Sequence, residues 1–181
     1  KDFFRATDIQ TLIEAVQSIG NKYPHNEIHL IGFSLGGNIA LRISASATIN
    51  FLKSTVVLSP VIDPEISMHA MDNTSWILKK YFVNKWQKTL RREVRLYEIA
   101  NVEEALKYKN LQEMTEFFTE NFSPHNNTKE LFSGYAITQD TIDQIKHNTF
   151  IYSSSDAPCV PIEPLNALNQ TDYVIFKPQK Y

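Results

Sequence analysis

The sequence predicts an α/β fold on a mostly parallel sheet, and three observations carry that prediction. Short apolar runs at 27–33, 55–59, 149–153 and 172–177 alternate with stretches of helical spacing. The segment HLIGFSLGGNIA (29–40) passes straight from strand to helix through a corner at Ser34. Between the second and third strands, residues 64–148 show long helical patterns rich in aromatics, which marks a helical cap inserted in the sheet. The expected organisation is one domain over 1–181 with the cap at 64–148.

Each element has a local reason. Thr7-Asp8-Ile9-Gln10 fits a capping box, and Ile9, Leu12, Ile13, Val16 and Ile19 recur at helical spacing, ending near Gly20-Asn21. The strand at 27–33 leads through the corner to a helix of small residues at 38–46. TVVLS (55–59) is β-branched and closed by Pro60. Residues 76–97 form a long amphipathic pattern, with Leu78, Phe82, Trp86, Leu90, Val94 and Tyr97 on one face. Lys79, Lys80, Lys85, Lys88, Arg91, Arg92 and Arg95 cover much of the remainder, against one acid, Glu93. TFIYS (149–153) is a strand followed by the loop SSDAPCVP. A short helix at 162–168 and a strand at 172–177 complete the pattern.

Composition narrows the functional classes. The chain has 181 residues, 43% hydrophobic and 21% charged, the ordinary usage of a water-exposed globular domain. A formal net charge of -2 offers no field for nucleic acid. The single cysteine, Cys159, cannot form an internal disulfide and reads as a packing residue. No metal-ligand spacing and no cofactor motif appears, and no lysine follows the glycines as a phosphate loop requires. No apolar run reaches transmembrane length, so a cytoplasmic location is expected. A basic amphipathic helix such as 76–97 can lie on an anionic membrane, although a solvated lid helix is the plainer reading.

The chemistry concentrates at Gly32-Phe33-Ser34-Leu35-Gly36, which matches G-x-S-x-G. A serine on a sharp strand-to-helix turn lifts its hydroxyl above the sheet, and side chains two residues either side would collide, so both flanks favour glycine. The following helix aims its N-terminus at the site, and the Leu35 N–H can stabilise an oxyanion. With such an elbow the acid follows the serine and a histidine follows the acid. Asp156, just after TFIYS, is the expected acid, and Asp63, after TVVLS, is its rival. His25, His29, His69, His125 and His147 all precede Asp156, so the expected catalytic histidine is none of these five.

The chain resembles the YheT-like branch of the α/β-hydrolase superfamily. The residues that carry this are YPHNEIHLIGFSLGGNIAL at the elbow, LSPVIDP after the next strand, KKYFVNKWQKTLRR in the cap and FIYSSSDAPCVP around the acid. The resemblance implies a partial α/β-hydrolase fold, with Ser34 as nucleophile and Asp156 as triad acid. It also implies that the histidine and the second oxyanion donor belong to segments beyond the two ends of this chain, which would make it a fragment. The implied function is hydrolysis of carboxylic esters, with a medium-chain or lipid-like acyl group, through an acyl-enzyme and with no cofactor or metal. The partner would be a small apolar ester. Phe117, Phe118, Phe122, Phe132 and Tyr135 are candidates to line an acyl pocket or to form the core of the cap.

Two alternatives share these residues. An alcohol acceptor in place of water would make the protein an acyltransferase on the same serine. The absence of a suitable histidine suits a non-catalytic hydrolase-like module that binds an apolar ligand or partner. Alone, the 181-residue chain is expected to show little esterase activity and to expose an apolar sheet edge.

Overall fold

A computed structural model of the chain describes residues 6–97 and 106–179, without the side chains at 93–97. Glu93, Val94, Arg95 and Tyr97, counted above on the two faces of the long helix, therefore lie outside the described side chains. Four parallel strands form one sheet in the order β1 (Ile28–Phe33), β2 (Leu52–Leu58), β3 (Asn148–Ser154), β4 (Val174–Gln179). Strand β2 starts three residues earlier than its β-branched core suggests. Leu52 pairs with Ile28 and is buried, while Lys53 points out to an exposed ion pair with Glu27 at 3.1 Å.

Alternation along the strands gives the sheet two different faces. One bears Leu30, Thr55, Val57, Thr149, Ile151 and Val174. Helices α1 (Gln10–Lys22) and α2 (Leu35–Ser44) pack on it, burying Ile13, Ala40, Leu41 and Ile43. The other face carries two cross-strand rows, Ile31-Val56-Phe150-Ile175 and Phe33-Leu58-Tyr152-Lys177. At the β1 edge of that face Ile31 is 62% and Phe33 64% exposed.

Helix α1 corrects two expectations. Its N-cap is Ile9, and no side chain caps it. The Ala6 and Thr7 carbonyls instead accept hydrogen bonds from the Arg42 guanidinium, which holds this stretch as a turn against α2. Gln10 donates to Glu14 at 3.1 Å rather than reaching back. The helix also runs through Gly20 to Lys22, and the Phe51 ring packs where a Gly20 side chain would stand.

Between β2 and β3 the chain forms α3 (Pro64–Asn73), α4 (Trp76–Tyr97), α5 (Leu111–Phe122), α6 (Thr128–Ser133) and α7 (Gln139–Gln144). Helix α4 spans the predicted residues. Most of the block has its own apolar core of Met68, Val83, Leu90, Leu111, Met114 and Phe132. Phe117, Phe118, Phe122 and Tyr135 pack around that core, with ring pairs such as Trp86–Phe118 at 6.3 Å and Phe132–Tyr135 at 6.2 Å. Between the two readings left open for these aromatics, the packing favours the core of the block. Helix α7 belongs to the sheet instead, through Ile142 and Ile145. A short helix, α8 (Glu163–Asn166), adds Leu165 to the same face. Among the described residues no helix is long and apolar enough to cross a membrane.

Candidate active site

Ser34 follows the last residue of β1 and caps α2, with φ 50° and ψ -122°. That is the first corner of a type II′ turn, a conformation normally left to glycine. A non-glycine residue there costs on the order of 1–3 kcal/mol and persists only where its surroundings fix it. Those surroundings are visible in the backbone. The Ser34 N–H donates to Leu58 O at 3.0 Å. Its carbonyl accepts from Gly37 N at 2.9 Å, Asn38 N at 3.2 Å and Val61 N at 3.2 Å. The side chain accepts nothing as a helix cap, and the residue is exposed.

The glycines close the corner, but not as the sequence motif suggests. A Cβ on Gly32 would stand 2.5 Å from the Gly36 carbonyl oxygen and 2.8 Å from Gly37 Cα, so only hydrogen fits. A Cβ on Gly36 would meet nothing within 4 Å. The second obligatory position is Gly37, whose Cβ would lie 2.9 Å from Pro60 Cβ. The elbow therefore closes in two places, Gly32 against the Gly36–Gly37 backbone and Gly37 against the segment after β2. The first N–H groups of α2, at Leu35 and Gly36, have no carbonyl four residues back within the helix. They sit beside Ser34 at the positive end of the helix dipole, and can donate to an oxygen acquiring charge.

Two neighbours were not singled out by sequence. Asn38 is fully buried, and its Nδ2 donates to Val61 O at 2.8 Å and to Tyr135 O at 2.7 Å. It ties the elbow helix to the end of β2 and to the returning end of the helical block. The Ile137 N–H bond to Ile62 O at 2.9 Å repeats that tie. Asn38 Oδ1 is buried with no hydrogen-bond partner among the described residues. Ser59, at the end of β2, has φ 42°, and its N–H donates to Tyr152 O at 2.7 Å. Two strained serines thus stand at the C-terminal ends of adjacent strands. The inter-strand bond to Tyr152 accompanies this conformation.

The two candidate acids occupy different settings. Asp156 lies in an exposed turn after β3 and accepts a hydrogen bond from the Ser154 hydroxyl. Asp63 is the N-cap of α3, accepting from Ile66 N at 3.0 Å, so its carboxylate is committed to the helix. Cys159 lies half-buried in the Asp156 loop, and burial pushes its thiol pKa up, against a smaller lowering from Thr74, the C-cap of α3.

None of the five histidines hydrogen-bonds Ser34 among the described residues. His25 is exposed in the loop before β1. His29 lies on β1 itself, roughly 16 Å down the strand from Ser34, and bonds Ser54 Oγ at 2.7 Å. His69 is on α3, and His125 sits 3.8 Å from Glu130 in the helical block. His147 precedes β3 at the opposite end of the sheet. Its Nε2 lies 2.9 Å from Thr55 Oγ1, which in turn meets Ser44 Oγ at 2.7 Å. Burial lowers the His147 pKa.

Comparison with known proteins bears on the family and the fold. The model of an uncharacterised protein family, UPF0227, matches residues 3–121. No curated protein matches the chain by sequence. Solved structures share its fold. A serine hydrolase from the polyaromatic-hydrocarbon-degrading bacterium Cycloclasticus zankles superposes with a TM-score of 0.56 at 12% identity, over 99% of this chain and 65% of its own. An α/β fold family hydrolase from Bacillus anthracis str. Sterne gives 0.53 at 19% identity, over 94% and 65%. A monoacylglycerol lipase from Paleococcus ferrophilus gives 0.51 at 15% identity, over 97% and 66%. At these identities the likeness shows the fold, which is that of the α/β-hydrolases. The chain spans about 65% of the length of these structures.

Proposed function

The chain belongs to the uncharacterised protein family UPF0227, and we propose that it forms the nucleophile-bearing part of a serine hydrolase acting on carboxylic esters. The observation that carries the proposal is the Ser34 backbone at φ 50°, ψ -122°, held by four main-chain hydrogen bonds. Strain of this kind is kept where it serves a site. The named hydrolases and the lipase that share the fold support the reaction class.

In this reading Ser34 Oγ attacks the ester carbonyl carbon, and a histidine takes the hydroxyl proton. That histidine is not one of the five in this sequence. The carbonyl oxygen becomes an oxyanion held by the Leu35 N–H. As the tetrahedral centre collapses, the C–O bond to the alcohol breaks and the histidine returns the proton to the leaving oxygen. Water then repeats the sequence on the acyl-enzyme and releases the acid. Asp156 orients the histidine and stabilises its charged form. The YheT-like resemblance favours an apolar, medium-chain acyl group, and the helical block acts as the lid over the corner.

A fluorophosphonate probe followed by peptide mapping tests this on the protein expressed from its whole gene. One label on Ser34, lost in Ser34→Ala, is the expected result. A folded protein that takes no label would favour the binding-module reading instead.

A further inference from the structure

Helix α4 carries a second apolar group that the sequence stripe hides. Phe82, Val83, Trp86 and Leu90 face the core of the helical block. Trp76, Ile77 and Tyr81 point the other way, at 73%, 60% and 52% exposed. At 100° per residue they share an arc with Lys80, Asn84, Lys85, Lys88, Arg91 and Arg92, all exposed. No carboxylate falls on that arc. Lys79, on the inner side, pairs with Asp72 at 3.7 Å. Lys80, Lys88, Arg91 and Arg92 form no ion pair among the described residues. Lys85 donates to the Tyr81 hydroxyl at 3.1 Å and lies 5.4 Å from its ring centroid. The whole chain carries a net charge of -2, so this cationic arc is a local segregation rather than a general excess.

We infer that the outer face of α4 docks on an anionic lipid surface, with Trp76, Ile77 and Tyr81 entering the interface and the cations meeting the headgroups. Charge complementarity calls for an anionic partner. The apolar end selects lipid over nucleic acid. Trp and Tyr settle at the headgroup boundary and an exposed Ile gains from the acyl region, whereas phosphates and bases offer an isoleucine little. The arrangement is a shallow anchor, since the buried stripe of α4 stays in its own core. It would set the protein against a lipid surface whether or not Ser34 is catalytic, so it stands apart from the proposed chemistry.

The test is flotation of the full chain with phosphatidylcholine vesicles, with and without phosphatidylserine. Tryptophan emission is read in parallel in Trp86→Phe, which leaves Trp76 as the sole indole because the chain has two tryptophans. Binding only with phosphatidylserine, weakened by salt and accompanied by a blue shift of Trp76, is expected. Each cation removed should weaken binding about fivefold, so Lys80→Glu/Lys88→Glu/Arg91→Glu should lose at least a hundredfold, roughly. Ile77→Ser should weaken binding while leaving the salt dependence in place. Ile77, Lys80, Lys88 and Arg91 are exposed, Trp86→Phe keeps an aromatic ring in the core of the helical block, and an unchanged circular dichroism spectrum separates lost docking from lost fold. Failure to float with phosphatidylserine, or flotation that survives the triple charge reversal, overturns the inference. Capture by a polyanion such as heparin without a Trp76 shift overturns it as well.

Discussion

Ser34 and Asp156 stand at the C-terminal ends of two strands of the same sheet, yet they are held in opposite ways. Ser34 is fixed through its backbone: four main-chain hydrogen bonds, a positive φ, and two glycines against which no side chain fits. Asp156 sits in an exposed turn with one local bond, from the Ser154 hydroxyl. The difference follows from what each residue would do. A nucleophile must present its oxygen beside fixed N–H donors, and the chain has to impose an unfavourable conformation to achieve that. An acid that only orients a histidine needs an accessible carboxylate, and its final geometry comes from the histidine it meets.

The comparison breaks most readily at the glycines. Gly32→Ala forces a Cβ against backbone atoms and should destabilise the chain by about 3 kcal/mol or more, read as a lower urea midpoint or loss of folded protein. Gly36→Ala, in the same motif, should leave stability unchanged or raised by up to about 1 kcal/mol, since its Cβ meets open space inside a helix. Equal damage from both would refute the close-packing account. Asn38→Leu comes next. It strands the Val61 and Tyr135 carbonyls and should cost about 3 kcal/mol. Because those carbonyls lie in the segment after β2 and on the helical block, proteolysis near Tyr135 should also accelerate.

The two aspartates sharpen the contrast at smaller stability effects. Asp63→Ala removes an N-cap and should cost about 1 kcal/mol while sparing Ser34 acylation in the whole-gene protein. Asp156→Asn should leave the urea midpoint within about 0.5 kcal/mol of the parent and slow acylation by roughly a thousandfold or more. The reverse pattern would move the acid to Asp63.

The smallest effect belongs to the far end of the sheet. The folded His147 pKa is lowered from its ordinary 6.5 by burial. Below that value the unfolded chain takes up the proton first, so stability falls as pH drops through the window between 6.5 and the lower folded value. Above 6.5 the full stability is present. His147→Gln should flatten this acid limb in urea titrations and leave Ser34 labelling untouched.

Much of the fold was legible because it is written in local periodicity. Helix α4, the four strands and the strand-to-helix corner all follow from apolar spacing and from one glycine-serine motif. What was missed depends on distant contacts. The expected capping box at Thr7 gave way to Arg42 drawing the Ala6 and Thr7 carbonyls onto α2. A capping box does occur at Thr138, where Thr141 takes the place usually held by Glu or Gln. Gly36 looked obligatory because the motif is symmetric in sequence, whereas the packing partner is Pro60, and it selects Gly37. The strain at Ser59 and the tether at Asn38 leave no local signature at all. The second apolar group of α4 lies outside the one stripe read from the sequence, and its exposure is set by how the helical block packs on the other side.

Whether Ser34 takes its proton acceptor from outside these five histidines is read by stoichiometric fluorophosphonate labelling of the whole-gene protein in which all five are changed to glutamine. A single label on Ser34 at a rate close to that of the parent is expected wherever the variant folds, with the single-histidine variants carrying the test if it does not. A label that vanishes when one of these five is replaced in a folded protein, or a parent that never labels at Ser34, would contradict that expectation.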